Sequence, residues 1–152
     1  MTTMTEQATQ VYSVFIRATP EQVWDGITKP EFTTRYFHGT KIDSTFEPGA
    51  PYLSVAGDGD QTVVDGEILE SDPPRLLKHT WRALYDPETA SEPHSRVTWE
   101  IEPQEGGVTK LTVTHDQLEA APKTAVSVAG GWSYVLSGLK TLLETGEPLE
   151  SA

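Results

Sequence analysis

Residues 121–146 read APKTAVSVAGGWSYVLSGLKTLLETG, and this stretch decides how the chain folds. From Ala125 its apolar stripe is Ala125, Val128, Ala129, Trp132, Val135, Leu136, Leu139, Leu142 and Leu143. They recur at three- and four-residue spacing over about five turns, the mark of an amphipathic helix with one buried stripe. Pro122 suits its first turn and Gly146 its stop. Some ~25 residues rising ~1.5 Å each predict a rod of roughly 35 Å. No other segment can form an element that long, so the rest of the chain must wrap around it. Gly130, Gly131 and Gly138 lie inside the pattern, where each costs about 1 kcal/mol relative to alanine. A tolerated kink, a close approach of helix to sheet, and room left for a ligand are the readings open for them.

Working outward, six strand candidates precede the helix, at residues 41–46, 52–56, 61–70, 76–84, 95–102 and 108–115. Turn chemistry separates them: Pro48-Gly49, Gly57-Asp58-Gly59-Asp60, Asp72-Pro73-Pro74, Asp86-Pro87 and Glu105-Gly106-Gly107. Such short links favour antiparallel pairing. The longest link, residues 84–94, carries Asp86, Glu88 and Glu92 and is expected to be a mobile hairpin tip. Alternation assigns the faces. Leu77, His79, Trp81 and Ala83 share one side, as do Val97, Trp99 and Ile101, and then Leu111, Val113 and His115. The opposite sides are polar, so the sheet is one-sided and its inner face needs a cover.

Further upstream, residues 11–17 (VYSVFIR) form a seventh strand with Tyr12, Val14 and Ile16 on one face. Thr19-Pro20-Glu21-Gln22 then starts a short helix, with Thr at the N-cap, Pro at N1 and Gln at N3. Val23, Trp24 and Ile27 are its buried face. A second short helix, residues 30–37 (PEFTTRYF), presents Phe32, Tyr36 and Phe37. The order is strand, two short helices, six strands, long helix. The fold class is therefore α+β: a bent antiparallel seven-stranded sheet gripping a long C-terminal helix.

Composition narrows the function. The 152 residues suit one domain with a sizeable core. The expected division is a disordered tail at 1–10, with Met4 as an alternative start, one domain at 11–146 and a C-terminal tail at 147–152. There is no cysteine, which removes disulfides, thiolate metal sites and a cysteine nucleophile and fits a cytoplasmic location. No run reaches the roughly 18 apolar residues of a membrane span. A net charge of −12 argues against nucleic acid and anionic membranes as partners. Solubility explains that charge, and so does an acidic face for a basic protein partner. Residues 58–72 hold Asp58, Asp60, Asp65, Glu67, Glu70 and Asp72 without one Lys or Arg, which reads as a solvated edge.

One set of segments carries a family likeness: Ala18-Thr19-Pro20-Glu21-Gln22-Val23-Trp24, the aromatic second helix, Thr80-Trp81, Leu111-Thr112-Val113-Thr114-His115, and Gly131-Trp132 with Val135-Leu136, Leu139 and Leu142-Leu143. By these residues the chain resembles the START-like superfamily of helix-grip proteins, and within it the group similar to activators of the Hsp90 ATPase. The likeness covers residues 10–146. It implies a cavity for an apolar ligand between helix and sheet; the superfamily holds lipid carriers, hormone receptors, cyclases and chaperone activators.

The cavity expected from this likeness is lined by Phe32, Tyr36, Phe37, His79, Trp81, Trp99, His115, Trp132, Val135 and Leu139. His79 and His115 are either hydrogen-bonded core residues or the polar anchors of such a cavity, with His115 at the rim where sheet and helix meet. Three functions follow in order: binding of a small hydrophobic or amphipathic molecule, a chaperone-activator-like interaction module, and a cyclase or dehydratase using a pocket histidine. No cofactor or metal is expected, because His38, His79, His94 and His115 show no ligand spacing. Neither a G-x-S-x-G elbow nor a phosphate-cradling glycine motif occurs.

Overall fold

The computed structural model describes residues 8–56, 59 and 61–149. Met4, Gly57, Asp58, Asp60, and residues 1–7 and 150–152 of the expected tails lie outside them. The alternating segments become strands β1 (Gln10–Ile16), β2 (Thr40–Asp43), β3 (Pro51–Ala56), β4 (Thr62–Asp72), β5 (Leu76–Ala83), β6 (Ser95–Pro103) and β7 (Thr109–Asp116). All pair antiparallel in one seven-stranded sheet of order β1-β7-β6-β5-β4-β3-β2. Register shifts after Ser54 in the β3–β4 pair and after Ile68 in the β4–β5 pair mark irregularities of the bulge type, which bend a sheet. Gly66 lies between them, where a Cβ would run into the carbonyl of Thr80.

Helices α1 (Pro20–Thr28) and α2 (Pro30–Tyr36) follow β1. Thr19 and Gln22 form the expected capping box, each side chain bonded to the other's backbone N–H. Val23 and Ile27 are buried and Trp24 partly so.

The single rod expected over residues 121–146 is two helices, α4 (Pro122–Val128) and α5 (Gly131–Thr145). The break is physical. Ala129 is extended at φ −61°, ψ 127°, and Gly130 is left-handed at φ 80°, a conformation that glycine adopts at little cost. The apolar spacing runs across both helices, so periodicity alone could not show the turn between them. At fifteen residues, α5 is about 22 Å long. It buries Trp132, Val135, Leu136, Leu139 and Leu142 against the sheet and the short helices. Gly138 is a point of close approach: a Cβ there would lie 3.2 Å from Tyr36 Cβ of α2. Gly26 does the same for α1 beneath Leu139.

The expected hairpin tip at 84–94 is instead tied down. Asp86 caps a short helix, α3 (Pro87–Ala90). The buried Thr89 hydroxyl donates to Ala83 O. Glu92 accepts from the N–H groups of Lys123 and Thr124, capping the start of α4. The acidic stretch also finds cations, supplied by the next strand: Arg82 pairs with Asp65 and Lys78 with Glu70, while Arg75 pairs with Asp72.

The two adjacent glycines predict opposite effects. Gly131 has nothing within 4 Å of an added Cβ and helical neighbours, so Gly131→Ala should stabilise by about 0.5–1 kcal/mol. Gly130→Ala forces a left-handed alanine and should cost about 1–2 kcal/mol. Thermal unfolding should move up for the first and down for the second, by about 2–4 °C per kcal/mol. A shift of the same sign for both would refute the assigned break.

Candidate functional site

The inner face of the sheet carries an aromatic cluster whose layout follows from register. Leu77 pairs with Trp99, His79 with Val97, and Trp81 with Ser95; Val97 pairs in turn with His115. Trp132 of α5 sits against this row, its ring centroid 5.4 Å from both Trp81 and Trp99 and 5.9 Å from Phe37.

Both histidines are fully buried, and each accepts from an indole. Trp99 Nε1 donates to His79 Nε2 at 3.0 Å, and Trp132 Nε1 donates to His115 Nδ1 at 3.0 Å. An indole nitrogen only donates, so these contacts assign the tautomers. The protonated Nδ1 of His79 donates to Thr80 O at 2.9 Å. The protonated Nε2 of His115 donates to Ser95 Oγ at 2.7 Å, and Ser95 donates to Trp81 O. The His79 ring stacks on Tyr52 at 3.7 Å. Burial pulls the His79 imidazole down to about 4. Burial, then the nearby His79, pulls His115 down to about 3. Both are neutral at pH 7, with every ring nitrogen engaged inside the protein.

Beside this cluster lies a cavity of about 650 Å³. Phe37, Trp81, Trp132 and Val135, all expected at the site, line it. Phe32, Tyr36, His79, Trp99, His115 and Leu139 do not. Tyr36 instead bonds Gly26 O between the short helices, and Leu139 packs under Gly26. The two histidines belong to the layer behind the wall, so His115 is a post between sheet and helix and not a rim anchor.

The other lining residues come from regions where alternation had assigned no face. Thr40 of β2, Ser54 and Ala56 of β3, and Val63 and Val64 of β4 form one side. The register shift skips Val63, since Ser54 pairs with Val64 and Val55 with Thr62. That irregularity puts two consecutive valines in the wall, which no period-two reading can anticipate. Val128 and Gly131 flank the break between α4 and α5, and the break itself was hidden in the sequence. The exposed edge carries His38, Tyr85 and Ser127. Tyr85 Oη and Ser127 Oγ are 2.8 Å apart and bridge the loop after β5 to α4. The His38 ring stacks on Tyr134 of α5. Among the described residues no group of three His, Asp or Glu could hold a metal ion, and no helix is long and apolar enough to cross a membrane.

The histidines make stability depend on pH. The unfolded chain takes up protons near pH 6.5, whereas the fold holds both imidazoles neutral to about 4 and 3. Their contribution is therefore complete above pH 6.5 and is lost as the pH falls. Each should cost about 2 kcal/mol by pH 5. Denaturant titrations at pH 7 and pH 5 check this, and equal unfolding free energies would contradict it. His115→Phe should itself cost about 1–3 kcal/mol at pH 7, because it strands the buried Trp132 N–H.

Comparison with known proteins agrees with this architecture. The family model for Activator of Hsp90 ATPase homolog 1-like protein matches residues 17–144. No curated protein sequence matches the chain. Among solved structures, CalU16 from Micromonospora echinospora superposes with a TM-score of 0.70 at 24% identity, covering 92% of this chain and 76% of that one. DynU16, from the dynemicin biosynthetic locus, gives 0.75 at 24% identity, covering 93% of this chain and 49% of that one. PFC0360w, an Hsp90 activator from Plasmodium falciparum, gives 0.71 at 20% identity, covering 93% and 98%. At these identities the likeness establishes the fold.

Proposed function

We propose, for a chain that belongs to the Activator of Hsp90 ATPase homolog 1-like family, that it binds a small hydrophobic or amphipathic molecule in the cytoplasm. The ligand occupies the cavity between the sheet and the C-terminal helices. One observation carries this reading: a void of about 650 Å³ walled by Trp81, Trp132, Phe37, Val128 and Val135. Small-molecule sites run to about 300–1,000 Å³ and are mostly apolar with a few placed polar groups.

The family also supports a protein-interaction reading. The net charge of −12 favours a basic partner such as a chaperone, and one structural neighbour is an Hsp90 activator. The cyclase-type reading loses its proposed base, since His79 and His115 have no ring nitrogen left for a substrate proton.

Nile red, a neutral fluorescent dye, should bind the folded protein with an emission increase. Val128→Trp puts bulk into the void and should weaken that binding about tenfold or more while the circular dichroism spectrum is retained. A folded protein that leaves the dye unbound would remove the small-molecule reading and put the interaction module in its place.

A further inference from the structure

Ser54 is an inward-facing polar residue that the fold leaves unused. It is 3% exposed and lies in the cavity wall. Buried hydroxyls nearly always have a partner. Those of Thr28, Thr40, Thr89, Ser95 and Thr109 each donate to a carbonyl oxygen. Ser54 Oγ makes no hydrogen bond among the described residues. It also differs from the other unpartnered buried groups, Thr33 Oγ1, Tyr52 Oη and Trp81 Nε1, which protein atoms close over. A free, nearly buried hydroxyl in a cavity wall has one direction in which to find a partner.

Three features make this a built position. Ser54 pairs with Val64, and the register shift that follows skips Val63, so the hydroxyl lies beside two valines of the wall. Thr40, also on the inner face, spends its proton on Phe37 O and keeps its oxygen lone pairs as a second acceptor on the same side. Among the described residues the wall contains no Lys, Arg, Asp or Glu, and His38, on the exposed edge, is its one imidazole; the chain as a whole carries −12. A carboxylate or phosphate in this cavity would lose its hydration and gain no cation.

We propose that the cavity selects an uncharged ligand with a flat apolar body and one hydroxyl or carbonyl group, which exchanges a hydrogen bond with Ser54 Oγ. The body lies against Trp81, Trp132 and Phe37, and the polar group points to the β2–β3 side. This rests on the small-molecule reading and adds the chemical class of the ligand to it.

Three probes with one fluorescent body test it: pyrene, 1-pyrenemethanol and 1-pyrenecarboxylate, titrated at pH 7 into the wild-type protein, Ser54→Ala and Ser54→Thr. Ser54→Ala should weaken pyrenemethanol about three- to tenfold and leave pyrene unchanged. Ser54→Thr keeps the hydroxyl and should restore most of the alcohol's affinity. The carboxylate should bind at least about tenfold more weakly than the alcohol. Thermal unfolding of each variant confirms that the fold is intact. Equal losses for pyrene and its alcohol, or none for either, would overturn the role of Ser54 and leave the cavity a general apolar site. A carboxylate bound as tightly as the alcohol would overturn the neutral class. If no probe binds the folded wild type, the small-molecule reading falls, and this inference with it.

Discussion

The hydrogen bond from the Trp132 indole to His115 Nδ1 is the point on which the two layers meet. An indole N–H cannot be buried without an acceptor except at a cost of about 1–3 kcal/mol. The sheet supplies that acceptor only if His115 is neutral and correctly tautomerised, and Ser95 and the Trp81 carbonyl arrange this from the next two strands. The helix is therefore registered on the sheet by directional contacts as well as by apolar area. Trp99 and His79 repeat the device within the sheet. Two histidines that look catalytic in a sequence are thus consumed in holding tryptophans.

The cavity is the space this arrangement leaves over. Trp132 and Val135 face it from α5 and Trp81 from β5, while the short helices fill the opposite end. There the glycines at 26 and 138 let three helices approach closely. At the other end Ala129 and Gly130 break the helix between α4 and α5, and β2, β3 and β4 supply the facing side of the cavity. One helix, tightly packed at its far half and set off at its near half by a left-handed glycine, separates core from cavity.

Much of this was legible in the sequence. Strand alternation and the stripe from Trp132 to Leu142 give the seven strands, the faces of β1, β5, β6 and β7, and the covering helix, because burial on one side imposes a period. The aromatic set was identified as inward-facing for the same reason. What escaped were departures from period. Gly130 lies between two helices, as the N-cap of α5, and not inside one, and a left-handed residue between two apolar repeats leaves the repeat intact. Ser54, Val63 and Val64 were missed because a register shift is a property of two strands together. The roles of His79 and His115 depended on partners about 20 residues away, which no local pattern encodes.

The tryptophan cluster has an optical consequence. Trp81 and Trp99 each lie 5.4 Å from Trp132, with interplanar angles of 55° and 86°. Chromophores this close and this strongly inclined couple their transitions, so the contribution of these three rings to the near-ultraviolet dichroism belongs to the trio and not to separate rings. Two of the three rings, Trp81 and Trp132, are also cavity wall. The molecule thus carries its own spectroscopic gauge: whatever enters the cavity alters the same couplet that reports the seating of helix on sheet, with no label attached.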